Sequence, residues 1–284
     1  MPGPPDLRLT EAGGEVADGP AAGLRARARV RGGDLWMATD PLPAGTGPAA
    51  AAASALLDAL ATRALAAGAP AAHWETEDDE STVDAVATAA GLPAQRAILH
   101  LRRPLPLEDG LVAVTAPVAV RPLRPGTTDE EAWVRCNNRS FAGHPDQGHE
   151  TVASLRATMA EPWFDPAGLL VADGHPPVDE GGDLDGFCWT KVHPADGDGP
   201  RRGEIYVIGV DPSAGGRGLG RSLVVAGLAH LAAGGVGLAL LYVDADNAPA
   251  RRLYDGLGFT LHRTRRVRTR RAGPGLPPGQ GRTE

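Results

Sequence analysis

One stretch limits what this chain can fold into more than any other: Glu204-Ile205-Tyr206-Val207-Ile208-Gly209-Val210-Asp211-Pro212, followed by Gly215-Gly216-Arg217-Gly218-Leu219-Gly220-Arg221. An apolar run closed by Asp-Pro predicts a strand and a turn. The glycines then lead into an apolar helix. That layout puts bare backbone N–H groups at a positive helix end, a natural seat for a phosphate-bearing cofactor. Gly215, Gly216, Gly218 and Gly220 let the backbone approach a pyrophosphate, and Arg217 and Arg221 add positive charge. No acidic residue occurs from Ala214 to His230, so no side chain there repels an anion. No Gly-Lys-Ser/Thr follows, which excludes a nucleotide P-loop.

The elements around this stretch follow a mixed order. Residues 104–110 (Pro-Leu-Pro-Leu-Glu-Asp-Gly) read as a linker. After it, residues 118–123 read as a strand, and 129–140 and 151–159 as helices joined by the loop 141–150. Residues 168–173 and 184–192 read as paired strands, 204–210 as a strand, 218–233 as a helix and 238–244 as a strand. A helix over 248–257 and a strand over 259–268 complete the series. Antiparallel strands come first and strand–helix units follow, which predicts an α+β fold and excludes the dinucleotide-binding arrangement.

The first 103 residues echo the latter part of that series. Residues 35–39 read as a strand, 49–67 as an Ala-rich helix, 73–76 as a short strand, 83–90 as a helix and 95–102 as a closing strand. Asp40-Pro41 matches Asp211-Pro212, and Gly45-Thr46-Gly47 matches Gly218-Leu219-Gly220. A degenerate internal duplication follows: a worn domain over 1–110, an intact one over 115–271 and a flexible tail over 272–284. Residues 11–23 carry no assignable pattern, and the opening strands of the first half are not visible.

At 284 residues with 42% hydrophobic side chains, the chain is large enough for two packed cores. No uninterrupted run approaches 18 apolar residues, so no membrane span is expected. The start Met1-Pro2-Gly3-Pro4-Pro5 does not read as a signal peptide. Cys136 and Cys188 provide neither a disulfide framework nor metal-ligand spacing, and a reducing cytoplasmic setting is expected. His144, Asp146 and His149 share a loop without a partner cluster, so no metal is expected. The net charge of −7 argues against general nucleic-acid binding. The basic run from His262 to Arg271 reads as a strand with one solvated face or as an anion-binding tail.

Of 28 basic residues, only Lys191 is a lysine. A lysine retained in so Arg-rich a chain points to a site that needs a compact ammonium, unless it is an accident of composition. Trp189, Lys191 and His193 alternate along one strand and so share a face, with Trp189 expected in the core and His193 at the strand end.

Val-Asp-Pro, then Arg-Gly-Leu-Gly at a helix start, then the segment from Leu241 to Phe259 resembles the GNAT acetyltransferase superfamily. Several further segments resemble its mycothiol synthase branch, a family of tandem GNAT enzymes. These are Asn137-Asn138, the loop from Phe141 to Gly148, Trp163-Phe164-Asp165-Pro166, Trp189-Thr190-Lys191-Val192-His193-Pro194 and Glu204-Ile205-Tyr206-Val207. The likeness is specific from about Val118 to Arg265 and general before Pro104. It implies two GNAT-type domains, each a mixed, mostly antiparallel sheet flanked by helices, the first shortened. It implies acetyl transfer from acetyl-CoA to the cysteinyl amine of a cysteinyl-glucosaminyl-inositol, by a monomer acting on small molecules without nucleic acid or membrane.

The resemblance also implies site residues. Acetyl-CoA would be held by Ile208, Gly209 and Val210, by Gly215-Gly216-Arg217-Gly218-Leu219-Gly220-Arg221, and by Asn247-Ala248-Pro249-Ala250-Arg251-Arg252. The amino-sugar substrate would be contacted by Asp146, Lys191, Glu204 and Tyr242. Asp146 stands where the family often has glutamate. The family adds an acidic residue from the first half, for which Glu11, Glu15 and Asp18 are candidates.

The chemistry of transfer agrees. A neutral amine must attack a thioester, so a base must take a proton, and Glu204 begins the strand beside the glycine loop. Tyr254 lies seven residues after Asn247, two helical turns along one face, where its hydroxyl can protonate the departing thiolate. The alternatives are an exposed strand end for Glu204 and core packing for Tyr254. Backbone donors at residues 208–210 can hold the carbonyl oxygen, and Gly209 inside a strand predicts a bulge there. Two other functions stay open: a GNAT enzyme acting on another small amine or a peptide N-terminus, and a first half that serves as a non-catalytic acyl-CoA-sensing or interaction module.

Overall fold

A computed structural model describes residues 7–10, 13–16, 24–31, 34–42, 47–77, 80–113, 118–144, 147–194 and 201–272. In chain order the first elements are β1 (Leu7–Thr10), β2 (Gly13–Val16), β3 (Arg25–Arg31), β4 (Asp34–Thr39), α1 (Pro48–Ala66), β5 (Ala71–Thr76), α2 (Glu80–Ala89) and β6 (Ala94–Pro104). Then come α3 (Asp109–Ala113), β7 (Arg121–Pro122), α4 (Thr128–Ser140), α5 (Val152–Met159), β8 (Leu169–Asp173), β9 (Leu184–His193) and β10 (Arg202–Val210). The last four are α6 (Leu219–Ala233), β11 (Leu238–Asp244), α7 (Ala248–Asp255) and β12 (Thr260–Arg271). They form two compact units, one of residues 1–99, 244–246 and 263–284, the other of residues 100–243 and 247–262.

In the first unit the strands run in the order β1-β2-β3-β4-β5-β12. Neighbours are antiparallel except β4 and β5, which run parallel over Leu35–Met37 and Ala72–Trp74. The opening strands absent from the sequence reading are therefore present as β1 to β3. β3 alternates strictly, Arg-Ala-Arg-Ala-Arg-Val-Arg, but its apolar positions are mostly small alanines, and β1 and β2 are only four residues long, so the strand signal was present but faint. Ala53, Leu56, Leu57, Leu60 and Ala61 form a buried stripe on α1 at helical spacing and pack with Met37, Trp74, Val83 and Val86. By length and composition alone α1 is apolar enough to cross a bilayer, although its sequence is interrupted by polar residues. Four of the six arginines of β12 form ion pairs, Arg263 with Glu77, Arg265 with Glu75, Arg268 with Asp84 and Arg270 with Asp58.

In the second unit the order is β6-β11-β10-β9-β8-β7. β10 and β11 are parallel, and β10, β9, β8 and β7 are successively antiparallel. Alternation divides the faces of β9. Phe187 and Trp189 pack with Trp133, Cys136 and Leu155 of α4 and α5. Cys188 and Thr190 lie against Gly227 of α6. The start of α4 is capped by the Thr127 hydroxyl, which accepts from the Asp129 N–H, and Asp129, Glu130 and Glu131 fill its first turn.

Three sequence expectations change. The expected linker 104–110 is partly structured: β6 runs through Pro104 and α3 starts at Asp109. The strand expected over 118–123 is only Arg121–Pro122. The bulge in β10 is not at Gly209; the register with β9 shifts between Ile205 and Val207, leaving Tyr206 as the extra residue. Gly209 pairs regularly with Phe187, and a Cβ there would lie 2.5 Å from the Phe187 ring. Its glycine is required by that close approach.

Candidate functional site

The parallel pairing of β10 with β11 is short. It covers Arg202–Glu204 against Leu238–Leu240 and then ends, while β10 continues on β9 as far as Val210. Beyond Glu204 the two strands splay. Ile208, Gly209 and Val210 therefore have no register partner on the β11 side, leaving a backbone edge that can hydrogen-bond to an extended amide chain.

Just beyond, Asp211 closes the strand. It is buried, its Oδ1 accepts from the Ser213 N–H at 2.9 Å, and its Oδ2 accepts from Arg139 Nε at 2.5 Å. The turn that follows has Gly216 and Gly218 both at φ +77°, the left-handed region that disfavours any side chain, and Gly218 is the N-cap of α6. No atom lies within 4 Å of where a Cβ would stand at either glycine. The first turn of α6 has no acidic residue. Arg217 donates to Asp185 at 2.8 Å and Arg221 to the Gly256 carbonyl at 3.2 Å, so both guanidiniums are anchored beside the turn. Leu219 points into the core, and Gly220 lies close to Leu253 and Val210. Open, glycine-lined N–H groups at the start of a fifteen-residue helix fit a pyrophosphate.

Asn247 caps α7, its side-chain oxygen accepting from the Ala250 N–H at 3.1 Å, and Pro249 sits within the first turn. Ala248, Arg251 and Arg252 are exposed along this helix start. Tyr254, on the same helix, is buried with its ring 5.7 Å from Phe259. Burial, with the nearby Cys188, pushes its phenol far above the ordinary range, so it stays protonated. Burial also lifts the Cys136 and Cys188 thiols to about 12, which makes both inert.

Glu204 is buried at the point where the strands part and is the register partner of Lys191 on β9 and Leu240 on β11. Its Oε2 lies 2.8 Å from His193 Nε2. Lys191 Nζ sits 4.2 Å from the Trp163 ring centroid and 5.2 Å from that of Tyr206. Tyr242 is exposed on β11, two residues past the partner of Glu204, with its ring stacked on His100 at 4.8 Å. Glu204, Lys191 and Tyr242, all expected from the sequence, thus lie on adjacent strands. Asp146 lies outside the described residues, as do Glu11 and Asp18; Glu15 falls on β2.

The sequence reading gave no role to Trp163, Tyr206 or Asn138 and treated His193 only as a strand end. Trp163 and Tyr206 bracket Lys191, with their rings 5.0 Å apart. The Tyr206 phenol is raised by burial and by the charges of Glu204, Glu150 and Glu161. Asn138 clamps the loop after α4, donating to the Glu150 carbonyl and accepting from its N–H, both at 2.9 Å. The pairing register joins His193 to this group: a strand of alternating Trp, Lys and His beside one starting at Glu204 was the available signal. Among the described residues no cluster of three or more His, Cys, Asp or Glu is placed to hold a metal.

Residues 132–259 match the Acetyltransferase (GNAT) family. Among solved structures, a GCN5-related N-acetyltransferase from Sphaerobacter thermophilus aligns over 93% of this chain and 81% of its own, at TM-score 0.64 and 20% identity. A tandem GNAT protein from the clavulanic acid biosynthesis pathway aligns over 91% and 82%, at TM-score 0.57 and 19% identity. At these identities the likeness establishes the fold. Sequence relatives are nearer. A mycothiol acetyltransferase of Thermomonospora curvata is 48% identical over 73% of this chain and 65% of its own length, so the chain spans just under two thirds of it. Those of Nocardioides sp. and Frankia alni are 43% and 40% identical, over 82% and 90% of this chain and 78% and 77% of theirs. The chain therefore belongs to the mycothiol acetyltransferase family of the GNAT acetyltransferases.

Proposed function

We propose that the second unit transfers the acetyl group of acetyl-CoA to the cysteinyl amine of 1D-myo-inositol 2-(L-cysteinylamino)-2-deoxy-glucopyranoside, giving mycothiol and CoA. The observation that carries this reading is the position of Glu204, opposite Lys191, where β10 and β11 part. The Gly216–Gly218 turn lies further along the same strand–helix unit.

Bound acetyl-CoA supplies an acetyl thioester. The Gly215–Arg221 turn and the Asn247–Arg252 helix start would seat its pyrophosphate and pantetheine, and the free edge at Ile208–Val210 would run beside the pantetheine amides. Backbone N–H groups on that edge would hold the thioester oxygen as charge grows on it. Glu204 takes a proton from the acceptor ammonium, and the nitrogen lone pair so freed attacks the thioester carbon. Tyr254 gives its proton to the departing sulfur as the C–S bond breaks and is restored by the second proton that the former ammonium nitrogen loses. Lys191 and Tyr242 line the acceptor side. A point charge on an aromatic wall and an exposed, stacked tyrosine suit a polar sugar better than an apolar chain.

Mass spectrometry of the full chain with acetyl-CoA and a panel of acceptors tests this. Acetylation of the cysteinyl amino-sugar ahead of simple amines and peptides is expected. Preferential acetylation of a peptide N-terminus would replace the acceptor assignment.

A further inference from the structure

We propose that His193 is a positioning residue for Glu204: its ring N–H holds one carboxylate oxygen so that the other is presented to the acceptor ammonium. The inference rests on the acetyl-transfer reading of the same site and adds to it a residue that reading does not use.

The argument begins with hydrogen-bonding capacity. An ionised carboxylate only accepts, so the 2.8 Å contact requires the proton on His193 Nε2, donated to Glu204 Oε2. That places a proton on Nε2 whether or not Nδ1 also carries one. Lys191, directly opposite Glu204 in the register, is drawn instead onto the Trp163 and Tyr206 rings. His193 is the side chain that bonds this carboxylate.

Register supplies the placement. His193 is the last residue of β9 and pairs with Arg202, so its side chain falls on the same face as Lys191 and Glu204 and diagonal to the carboxylate. The Glu204 side chain is about one-tenth exposed and the imidazole about one-third. A buried carboxylate with no fixed donor would sample several rotamers, and a catalytic base must be held in one. In the proton step one N–H bond of the acceptor ammonium breaks and one O–H bond forms on the free oxygen of Glu204. Of the two protons the ammonium gives up overall, one ends on the thiol and the other passes from Glu204 to solvent. His193 keeps its Nε2 proton throughout.

The test joins a kinetic and a spectroscopic measurement on the full chain. His193→Gln retains an N–H donor at the place of Nε2, and His193→Ala does not. We expect His193→Ala to lower kcat about 10- to 100-fold, the worth of a hydrogen bond to a charged group, with the KM for acetyl-CoA unchanged. His193→Gln should recover most of that loss. Nitrogen-15 NMR of histidine-labelled apoprotein should show His193 with a proton on Nε2, as the Nε2–H tautomer or the imidazolium, in the wild type, and Glu204→Gln should abolish that preference. Equal kcat in the alanine variant, or a loss that glutamine does not relieve, would overturn the proposal. So would a wild-type spectrum with the proton on Nδ1 alone. Because the NMR arm needs no substrate, it judges the Glu204–His193 pair even if the wild type acetylates none of the acceptors, a result that would instead sink the acetyl-transfer reading.

Discussion

Lys191 and Glu204 face each other across the β9–β10 ladder, yet they do not pair. The ammonium lies 4.2 Å from the Trp163 ring centroid, while the carboxylate is held by His193 at 2.8 Å. Opposite charges on adjacent strands would normally close on each other. Here an aromatic wall on one side and an imidazole on the other give each its own partner. Both charges thus remain available to a ligand that offers an amine to one and oxygens to the other.

Lys191→Arg should therefore raise the acceptor KM about ten-fold and leave that of acetyl-CoA unchanged. A planar guanidinium can still stack on Trp163, but it does not place a compact charge at the same point. Steady-state kinetics with each substrate varied in turn is the measurement. An unchanged acceptor KM and kcat would make Lys191 an accident of an Arg-rich composition.

Glu204→Gln and Tyr254→Phe keep shape and should each lower kcat by about 100-fold or more, with little change in acetyl-CoA affinity. The glutamine variant should regain rate as pH rises toward about 8, where an α-amino group is increasingly neutral without help. The phenylalanine variant should not recover that way, because its defect is at the leaving sulfur. Wild-type rates in both variants across that range would reduce the two residues to structural roles.

The site was legible in the sequence wherever backbone chemistry demanded a residue type. Gly216 and Gly218 must be glycine to hold φ near +77°, so the glycine turn stood out without a structure. The cap at Asn247 and the Asp211-Pro212 stop are local signals of the same kind. What the sequence hid was cross-strand. The bulge at Tyr206 and the reach of His193 to Glu204 depend on register, which one strand does not encode alone. Strands β1 to β3 were hidden for another reason: β1 and β2 are four residues long, and the alternation of β3 is carried mostly by alanine, which gives a faint apolar signal.

Gly209→Ala should destabilise the second unit by about 1–3 kcal/mol, because the new methyl would overlap the Phe187 ring in a packed core. Urea denaturation followed by tryptophan fluorescence would read this through Trp133 and Trp189, which both pack near Phe187. Unaltered stability would mean that the Phe187 ring can move aside.

Acid should unfold the second unit partly through Asp129. Its side chain is fully buried and takes hydrogen bonds from Arg121 at 2.5 and 3.0 Å and from Arg124 at 2.8 and 2.9 Å. Burial alone would raise its pKa, but the bonds from Arg124 and Arg121 outweigh that and hold the carboxyl well below the ordinary range. An unfolded aspartate titrates near about 3.9, so below that pH the unfolded chain binds a proton that the folded chain refuses. The unfolded state then holds more protons, and stability falls with falling pH until the folded carboxyl also protonates. The contribution is complete above about pH 5 and is lost progressively below about pH 4. Asp129→Asn should cost about 3 kcal/mol at neutral pH, since it leaves two arginines facing a neutral buried amide. It should also flatten the acid slope, because the group that titrates is gone. Denaturation midpoints for both proteins, taken between about pH 3 and 7, would show parallel curves if Asp129 were not the titrating anchor.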